Sequence, residues 1–303
     1  MARRSIVEVI KSGRILLSDG GWGTSLQKRG LKAGECPEKW CIEREEEVFA
    51  LAKSFIDAGS DIIETNSFGG TRFKLQMCGL GERVGEINEK AVRISRRAAG
   101  EDKWVMASAG PTGKMIIWGD VTGEDLYNAF KEQVEAQERG GADAVCIETM
   151  MALDEACIAV EAARDNTDLE IICTFSFEKN AKGEMRTMMG ATPSEAAGAV
   201  IALGAHIVGA NCGKGYDGMI DIIQQIRKVS EDIPILIQAN AGIPKLVEGE
   251  TVFPATSEEM AAQIPLWIEA GANIVGGCCG TTPEHIRAFR KAVDSFMQKG
   301  GEK

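Results

Sequence analysis

Short apolar segments rich in β-branched residues recur along the chain, and each is followed by a polar or glycine-rich break and then by a segment with helical periodicity. The strand candidates are residues 14–18, 61–65, 104–108, 144–148, 171–175, 206–210, 234–239 and 273–277. The helix candidates are residues 45–58, 85–99, 122–140, 153–165, 193–203, 217–230, 256–270 and 283–297. Apolar strands that alternate with helices are typical of a parallel sheet. Eight such units predict one (β/α)8 barrel of the TIM type over residues 1–303.

Polar side chains gather where the predicted strands end. In a (β/α)8 barrel these ends form one face, which carries the active site. We therefore expect one mouth that contains Asp19, Glu64, Thr65, Asn66, Ser108, Glu148, Thr149, Thr174, Ser176, Asn211, Cys212, Asn240, Cys278 and Cys279. The alternative fold is a doubly wound open sheet, but the glycine loop at residues 20–23 lacks the spacing of a dinucleotide-binding loop. A plain tight turn is the other interpretation of that loop.

Composition narrows the class of protein. The chain is 44% hydrophobic, and its 45 acidic and 34 basic residues give a net charge of −11, which argues against a nucleic-acid or anionic-membrane surface and favours a small-molecule substrate. No apolar stretch of signal-peptide length follows the N-terminal basic residues and no segment approaches a membrane span, so we expect a cytoplasmic protein.

Nine cysteines without regular spacing indicate reduced thiols. Four of them are interpreted as small core residues: Cys78, Cys146, Cys157 and Cys173.

The most specific chemical pattern is a pair of cysteines at the end of a glycine-rich strand. Cys278 and Cys279 follow strand eight, Cys212 ends strand six, and Asn240 ends strand seven between them. Strands two positions apart are separated by about 10 Å, a gap that two cysteine side chains can span through a shared ion. Adjacent cysteines can share that ion only if the backbone turns, which the glycines within residues 276–280 permit. The pattern predicts a Zn²⁺ site with three thiolates and an open fourth position.

Such a site favours activation of a thiol over activation of water. The two histidines, His206 at the start of strand six and His285 inside the last helix, are placed away from the cysteines. Three anionic sulfurs reduce the Lewis acidity of zinc, whereas a bound thiol still loses its proton and stays nucleophilic. The alternatives are a vicinal disulfide, unrelated buried thiols, or a zinc-binding or redox-sensing barrel without turnover.

These motifs together resemble the zinc-dependent homocysteine S-methyltransferase family, and within it most closely the homocysteine-binding module of cobalamin-dependent methionine synthase. The matching stretches span nearly the whole chain: residues 19–24, 64–70, 110–113, 148–149, 209–212, 240–242 and 276–282. The resemblance implies a methyltransferase that methylates homocysteine, or a related small thiol, in methionine biosynthesis.

The resemblance also implies roles for individual residues. Cys212, Cys278 and Cys279 correspond to the zinc ligands, and Asn240 to a residue that can ligate zinc when substrate is absent. The substrate-binding set comprises Asp19, Gly20, Gly21, Asn66, Glu148 and Asn240, in which Glu148 holds the ammonium group and the first loop grips the amino acid. Taken alone, Glu148 is also compatible with a structural acid at the barrel mouth.

The methyl donor is less clearly indicated. Residues 110–113 and the helix after them look like the corrinoid-using branch, but Gly204 stands where a corrinoid-binding motif needs aspartate. A methylcorrinoid on a separate protein is therefore expected. Met150-Met151 and Gln238-Ala239 depart from the family pattern, so S-methylmethionine, S-adenosylmethionine or betaine as donor, another thiol acceptor, and the reverse demethylation stay open. Monomer and dimer are equally open.

Overall fold

The computed structural model describes residues 4–247 and 250–300, which form the predicted (β/α)8 barrel. The barrel strands are β1 Leu16–Leu17, β2 Ile62–Glu64, β3 Trp104–Ala109, β4 Ala144–Met150, β5 Glu170–Phe175, β6 Ile207–Cys212, β7 Ile235–Ala239 and β8 Ile274–Gly277. Their order in the sheet is β1-β8-β7-β6-β5-β4-β3-β2, and the paired strands are parallel. The strand β7 thus lies between β6 and β8, as the sequence predicts. Two hairpins stand outside the barrel: Glu178–Lys179 with Met185–Arg186, and Lys245–Val247 with Glu250–Val252.

A main helix follows each strand. These helices are α1 Glu45–Asp57, α2 Val84–Ala99, α3 Gly123–Arg139, α4 Leu153–Asn166, α5 Pro193–Ala202, α6 Met219–Arg227, α7 Ile264–Ala270 and α8 Pro283–Gly300. Shorter helices are Ile6–Lys11, Trp22–Lys28, Trp40–Glu43, Arg72–Gln76 and Ser257–Ala261, with 3-10 turns at Pro37–Lys39, Gly81–Arg83 and Ile116–Trp118. Thr122 and Thr192 begin α3 and α5 with capping boxes. Among the described residues, no helix combines the length and the apolarity that crossing a bilayer requires.

One helix prediction is wrong in detail. The segment 256–270 is predicted as one helix, but it forms Ser257–Ala261 and α7 as separate helices. Pro265 lies in the first turn of α7 and has no backbone N–H to donate to the preceding turn. The chain therefore restarts its helix at that point.

The seam between β1 and β2 is closed chiefly by Asp61, alongside hydrogen bonds from Ser60 Oγ to Ser18 O and from Glu64 N to Asp19 Oδ2. The backbone N of Asp61 donates to Leu17 O at 2.7 Å, and the Asp61 carboxylate accepts from Leu17 N at 3.1 Å. The same carboxylate contacts Arg14 at 2.8 Å, Lys103 at 3.1 Å and Arg290 at 2.9 Å. Because β1 contributes only two residues to the sheet, these contacts take the place of a longer ladder.

The barrel interior changes from apolar to polar along the strands. Its apolar layer comprises Leu16, Ile62, Met106, Cys146, Ile172, Ile207, Leu236 and Ile274, and the helix Ile6–Lys11 packs against it. Residues two positions apart in a strand point to the same side. The next layer therefore comprises Ser18, Glu64, Ser108, Glu148, Thr174, Gly209, Gln238 and Gly276. This polar layer forms the floor of the mouth.

The cysteines outside the mouth follow the prediction only in part. Cys146 and Cys173 are buried, and Cys157 is half-buried. Cys78 is exposed in the turn after Arg72–Gln76, so its assignment to the core is wrong. Met77, the residue before it, is exposed as well. All nine cysteines are free.

Candidate active site

Three sulfur atoms converge at the mouth of the barrel. The Sγ atoms of Cys212, Cys278 and Cys279 all lie within 4.8 Å of one another. Tetrahedral zinc with Zn–S bonds of about 2.3 Å needs sulfurs roughly 4 Å apart, so the spacing fits. In residues 4–247 and 250–300, no second set of three or more His, Cys, Asp or Glu side chains has a spacing suited to a metal ion.

Local backbone turns aim the sulfurs at one point. Cys212 ends β6 in the left-handed region with φ 63°, a conformation that costs a residue with a Cβ about 1–2 kcal/mol. Cys278 lies beyond the end of β8 but stays tied to β7, because its N donates to Ala239 O at 2.8 Å. Gly280, with φ 83°, completes the turn. The cysteine pair therefore lies in a turn, where adjacent side chains can face the same point.

The three cysteine thiols of the cluster differ in pKa. Hydrogen bonds from Cys278 and Cys279 lower the pKa of Cys212 to about 3. Cys278 and Cys279 each donate a hydrogen bond to the Cys212 sulfur. This bond raises the pKa of Cys278, and it raises the pKa of Cys279 to about 12. The cluster thus stabilises one thiolate and retains two protons, which a divalent cation can displace.

Asn240 lies beside this cluster with an unused acceptor. Its Nδ2 donates to Gly213 O at 2.7 Å and lies 3.6 Å from the Cys212 Sγ. Its Oδ1 is buried and has no hydrogen-bond partner within the described residues. A buried unpaired carbonyl oxygen is destabilising, and an amide oxygen together with three thiolates is a ligand set that a cation such as zinc accepts. The residues present therefore fit a zinc ion.

Glu148 lies on the floor of the mouth and is well supplied with donors. Ser108 Oγ donates to its Oε1, and Asn211 Nδ2 donates to its Oε2 at 3.0 Å. Burial nevertheless raises the pKa of Glu148 to about 7. The Asn211 Nδ2 also lies 3.9 Å from the Cys278 Sγ, so this amide links the carboxylate to the sulfur cluster.

Asp19 lies at the end of β1 with one oxygen satisfied and one unpaired. Its Oδ2 accepts from Trp22 Nε1 at 2.7 Å and from Glu64 N at 2.9 Å. Its Oδ1 is buried without a partner in the described part of the chain. Burial raises the pKa of Asp19 to about 7, and hydrogen bonds only partly offset that effect. Asp19 therefore has acceptor capacity for a cationic ligand.

The first loop packs tightly against the cysteine turn. A Cβ at Gly21 would lie 2.6 Å from Cys278 O, and one at Gly20 would lie 2.8 Å from Thr281 Oγ1. The Gly21 N donates to Thr281 Oγ1 at 3.0 Å. Both glycines are therefore required for this close approach.

Asn66 is directed away from the carboxylates. Its Nδ2 donates to Pro37 O at 2.7 Å and lies 3.5 Å from the Cys41 Sγ. It thus holds the segment that carries Pro37 and Cys41 over the β2 loop, and a substrate contact by Asn66 stays a prediction.

The two histidines lie outside the sulfur cluster, as predicted. His206 Nδ1 accepts from Ile171 N at 2.9 Å at the start of β6. His285 is buried in α8, where its Nδ1 is 2.9 Å from Thr282 Oγ1 and its Nε2 is 3.2 Å from Ala255 O. Both rings are engaged in structural hydrogen bonds.

A hydrogen bond across the lumen joins two residues of the floor, Glu64 and Gln238. Gln238 Nε2 donates to Glu64 Oε1 at 2.9 Å, across the lumen from β7 to β2. The sequence patterns do not single out this pair. The signal was present in the strand alternation, because Glu64 follows Ile62 and Gln238 follows Leu236 by two positions.

Comparison with known proteins defines the class. The profile of the homocysteine S-methyltransferase family matches residues 16–293, and the chain belongs to this family.

Individual relatives are methionine synthases. The methionine synthase of Mycobacterium tuberculosis is 30% identical over an alignment 307 residues long, gaps included, and the alignment covers 95% of this chain and 25% of that protein. That of Mycobacterium leprae is 30% identical over 298 residues, which cover 92% of this chain and 24% of that protein. The chain thus spans about a quarter of the length of these relatives.

Solved structures share the fold. The metallated form of the homocysteine methyltransferase MmuM from Escherichia coli has a TM-score of 0.77 at 22% identity, with 94% of this chain and 98% of that chain covered. A methyltransferase from Methanosarcina mazei has a TM-score of 0.63 at 12% identity, with coverage of 96% and 98%. At these identities the likeness establishes the barrel fold.

Proposed function

We propose that the chain transfers a methyl group to the thiolate of homocysteine, in a zinc-dependent reaction that yields methionine, and that the donor is a methylated corrinoid on a separate protein. The observation that carries the proposal is the convergence of three free cysteines beside a pocket of buried carboxylates. Membership of the homocysteine S-methyltransferase family supports the acceptor.

The cysteines would hold zinc and leave one position for the substrate. Cys212, Cys278 and Cys279 would supply three thiolates, and Asn240, whose Oδ1 is buried and unpaired in the described residues, would complete the coordination through that oxygen when no substrate is bound. When bound, zinc would keep the substrate thiol deprotonated near neutral pH, where a free thiol is mostly protonated.

The carboxylates would bind the other end of the substrate. Only two methylene groups separate the sulfur of homocysteine from its α-carbon, so the ammonium group must lie close to the cysteines. Glu148 meets that requirement, since Asn211 lies within 3.0 Å of its Oε2 and within 3.9 Å of the Cys278 Sγ. Asp19, with an unpaired Oδ1, is the second acceptor.

The donor is tested by a single-turnover assay. Zinc-loaded protein is mixed with homocysteine and free methylcobalamin, and methionine formation is measured against the Cys279→Ala variant as the matched control. We expect methionine from the wild type only. Absence of methionine here, together with product from S-methylmethionine, S-adenosylmethionine or betaine, would contradict the corrinoid donor.

A further inference from the structure

The polar floor of the barrel contains a carboxylate to which the proposed function assigns no role. Glu64 is 7% exposed and lies at the end of β2. Its backbone N–H donates to the side chain of Asp19, which follows the neighbouring strand β1. Burial first, and then the charges of Glu148 and Asp19, raise its pKa. Three acidic groups thus face a common space in the lumen.

The three carboxylates differ in the hydrogen bonds they already receive. Both oxygens of Glu148 accept from side chains of the barrel wall, as described above. Within the described residues, Asp19 Oδ1 has no partner, and Glu64 accepts one hydrogen bond, on Oε1, from Gln238. A carboxylate offers about four acceptor positions. The unused acceptors therefore belong mainly to Asp19 and Glu64.

Gln238 gives a second, independent indication that this space suits a group with hydrogen-bond donors. Its side chain is 2% exposed, and its Nε2 is committed to Glu64. Its Oε1 is buried and unpaired within residues 4–247 and 250–300. Buried amide oxygens normally find a donor. A cation with several N–H groups would satisfy Gln238 Oε1, Glu64 and Asp19 Oδ1 together.

We propose that Glu64 binds the ammonium group of the amino-acid thiol together with Asp19, and that Gln238 is a positioning residue that orients the Glu64 carboxylate. An ammonium group has three N–H donors for the unused acceptors, and its positive charge would stabilise the ionised form of these buried carboxyls. Glu148, already held by Ser108 and Asn211, keeps the role given to it above and contacts the same ammonium group, so Glu64 is an additional acceptor rather than a replacement. The inference rests on the proposed function, because it takes homocysteine as the substrate.

The test compares two thiols that differ only in the ammonium group. The dissociation constants of homocysteine and 4-mercaptobutanoate are measured by calorimetry on zinc-loaded protein. In the isosteric Glu64→Gln variant we expect homocysteine to bind about 10- to 100-fold more weakly, and 4-mercaptobutanoate to change by less than about twofold. Gln238→Met, which removes the hydrogen bond to Glu64, should weaken homocysteine alone by about threefold to tenfold.

Controls separate a lost contact from a damaged fold. Glu155→Gln alters another buried carboxylate, held by Thr112 outside the lumen, and should leave the ratio of the two constants unchanged. The zinc content of each variant is measured alongside, and Glu64→Asp should recover part of the lost affinity if the charge is what matters.

Two results would overturn the inference: unchanged homocysteine affinity in Glu64→Gln, or equal weakening of both thiols. If the wild type itself does not bind homocysteine, both the proposed function and the inference about Glu64 are wrong. If the wild type prefers homocysteine and Glu64→Gln keeps that preference, only the role of Glu64 is wrong.

Discussion

Single residues in the mouth are held in states that favour a ligand over water. Cys212 occupies the left-handed backbone region, Asn240 has an unpaired buried oxygen, and Asp19 is fully buried with one oxygen unsatisfied. Each of these features lowers the stability of the folded protein unless a ligand compensates for it. Backbone strain and unpaired polar groups are expected at binding sites, where function requires arrangements that lower the stability of the fold.

The buried Asp19 carboxyl predicts a dependence of stability on pH. Because its pKa is raised from 3.8 to about 7 by burial, the folded protein keeps a proton that the unfolded chain releases. The free energy of unfolding should therefore fall as pH rises from 3.8 to about 7. Asp19→Asn should make this fall smaller, as measured by urea unfolding across that range at constant zinc occupancy. An unchanged slope would show that Asp19 is ionised in the folded state, and Asp57→Asn on the exposed face of α1 is the control.

The chemistry of single residues was predictable where the sequence pattern was local. The cysteine pair beside glycines, and a third cysteine at a matching strand end, indicate the sulfur cluster without coordinates. Strand alternation places Gln238 and Glu64 on the inner face of the barrel, but their hydrogen bond joins positions 174 residues apart across the lumen, so the sequence does not reveal the pairing itself.

At the scale of elements, side-chain hydrogen bonds hold in place the elements that are too short to be held by backbone pairing alone. The strand β1 has two residues, and Asp61 ties it to β2 through both backbone and side-chain hydrogen bonds. At the opposite end from the mouth, Glu170 accepts from Ile6 N at 2.7 Å and from Ser5 Oγ at 2.6 Å, which fixes the helix that packs under the barrel.

Removing the charge of Asp61 should destabilise the barrel without touching the mouth. Asp61→Asn weakens the contacts to Arg14, Lys103 and Arg290, and we expect a loss of about 2–3 kcal/mol in the free energy of unfolding, because these partners are partly exposed and can turn to water. Urea unfolding measures the loss. Asp57→Asn, at an exposed i,i+4 pair, should cost less than about 0.5 kcal/mol. Equal effects of the two variants would contradict the role of Asp61 as the seam.

The order and type of the main elements followed from hydrophobic periodicity, because most strands and helices are long enough to show their own pattern, and the two residues of β1 lie within a longer predicted strand, residues 14–18. The break at Pro265 was readable in principle from the missing N–H. The helix Ile6–Lys11 was not, since the carboxylate that fixes it comes from β5, more than 160 residues away.

For the whole molecule, the sulfur cluster joins loops from two different strands of the barrel. Zinc bound to Cys212 and to the Cys278-Cys279 turn would therefore stabilise the folded state as well as the substrate thiol.

Zinc removal should lower stability by mass action. At free zinc about 100-fold above its dissociation constant, we expect about 2.7 kcal/mol of stabilisation relative to the chelated protein, measured by urea unfolding. Cys279→Ser should lose most of this difference, whereas Cys157→Ser, at a half-buried cysteine outside the cluster, should retain it. A zinc effect that persists in Cys279→Ser would place the metal elsewhere.

The central claim is that the three cysteines make this barrel a site for deprotonating homocysteine. It is tested most directly by titrating homocysteine into zinc-loaded protein in a weakly buffered solution and measuring proton release. We predict about one proton per zinc with homocysteine, and none with homoserine, with chelated protein or with Cys279→Ser. Equal proton release from the zinc-loaded and the chelated protein, or none from either, would contradict the account.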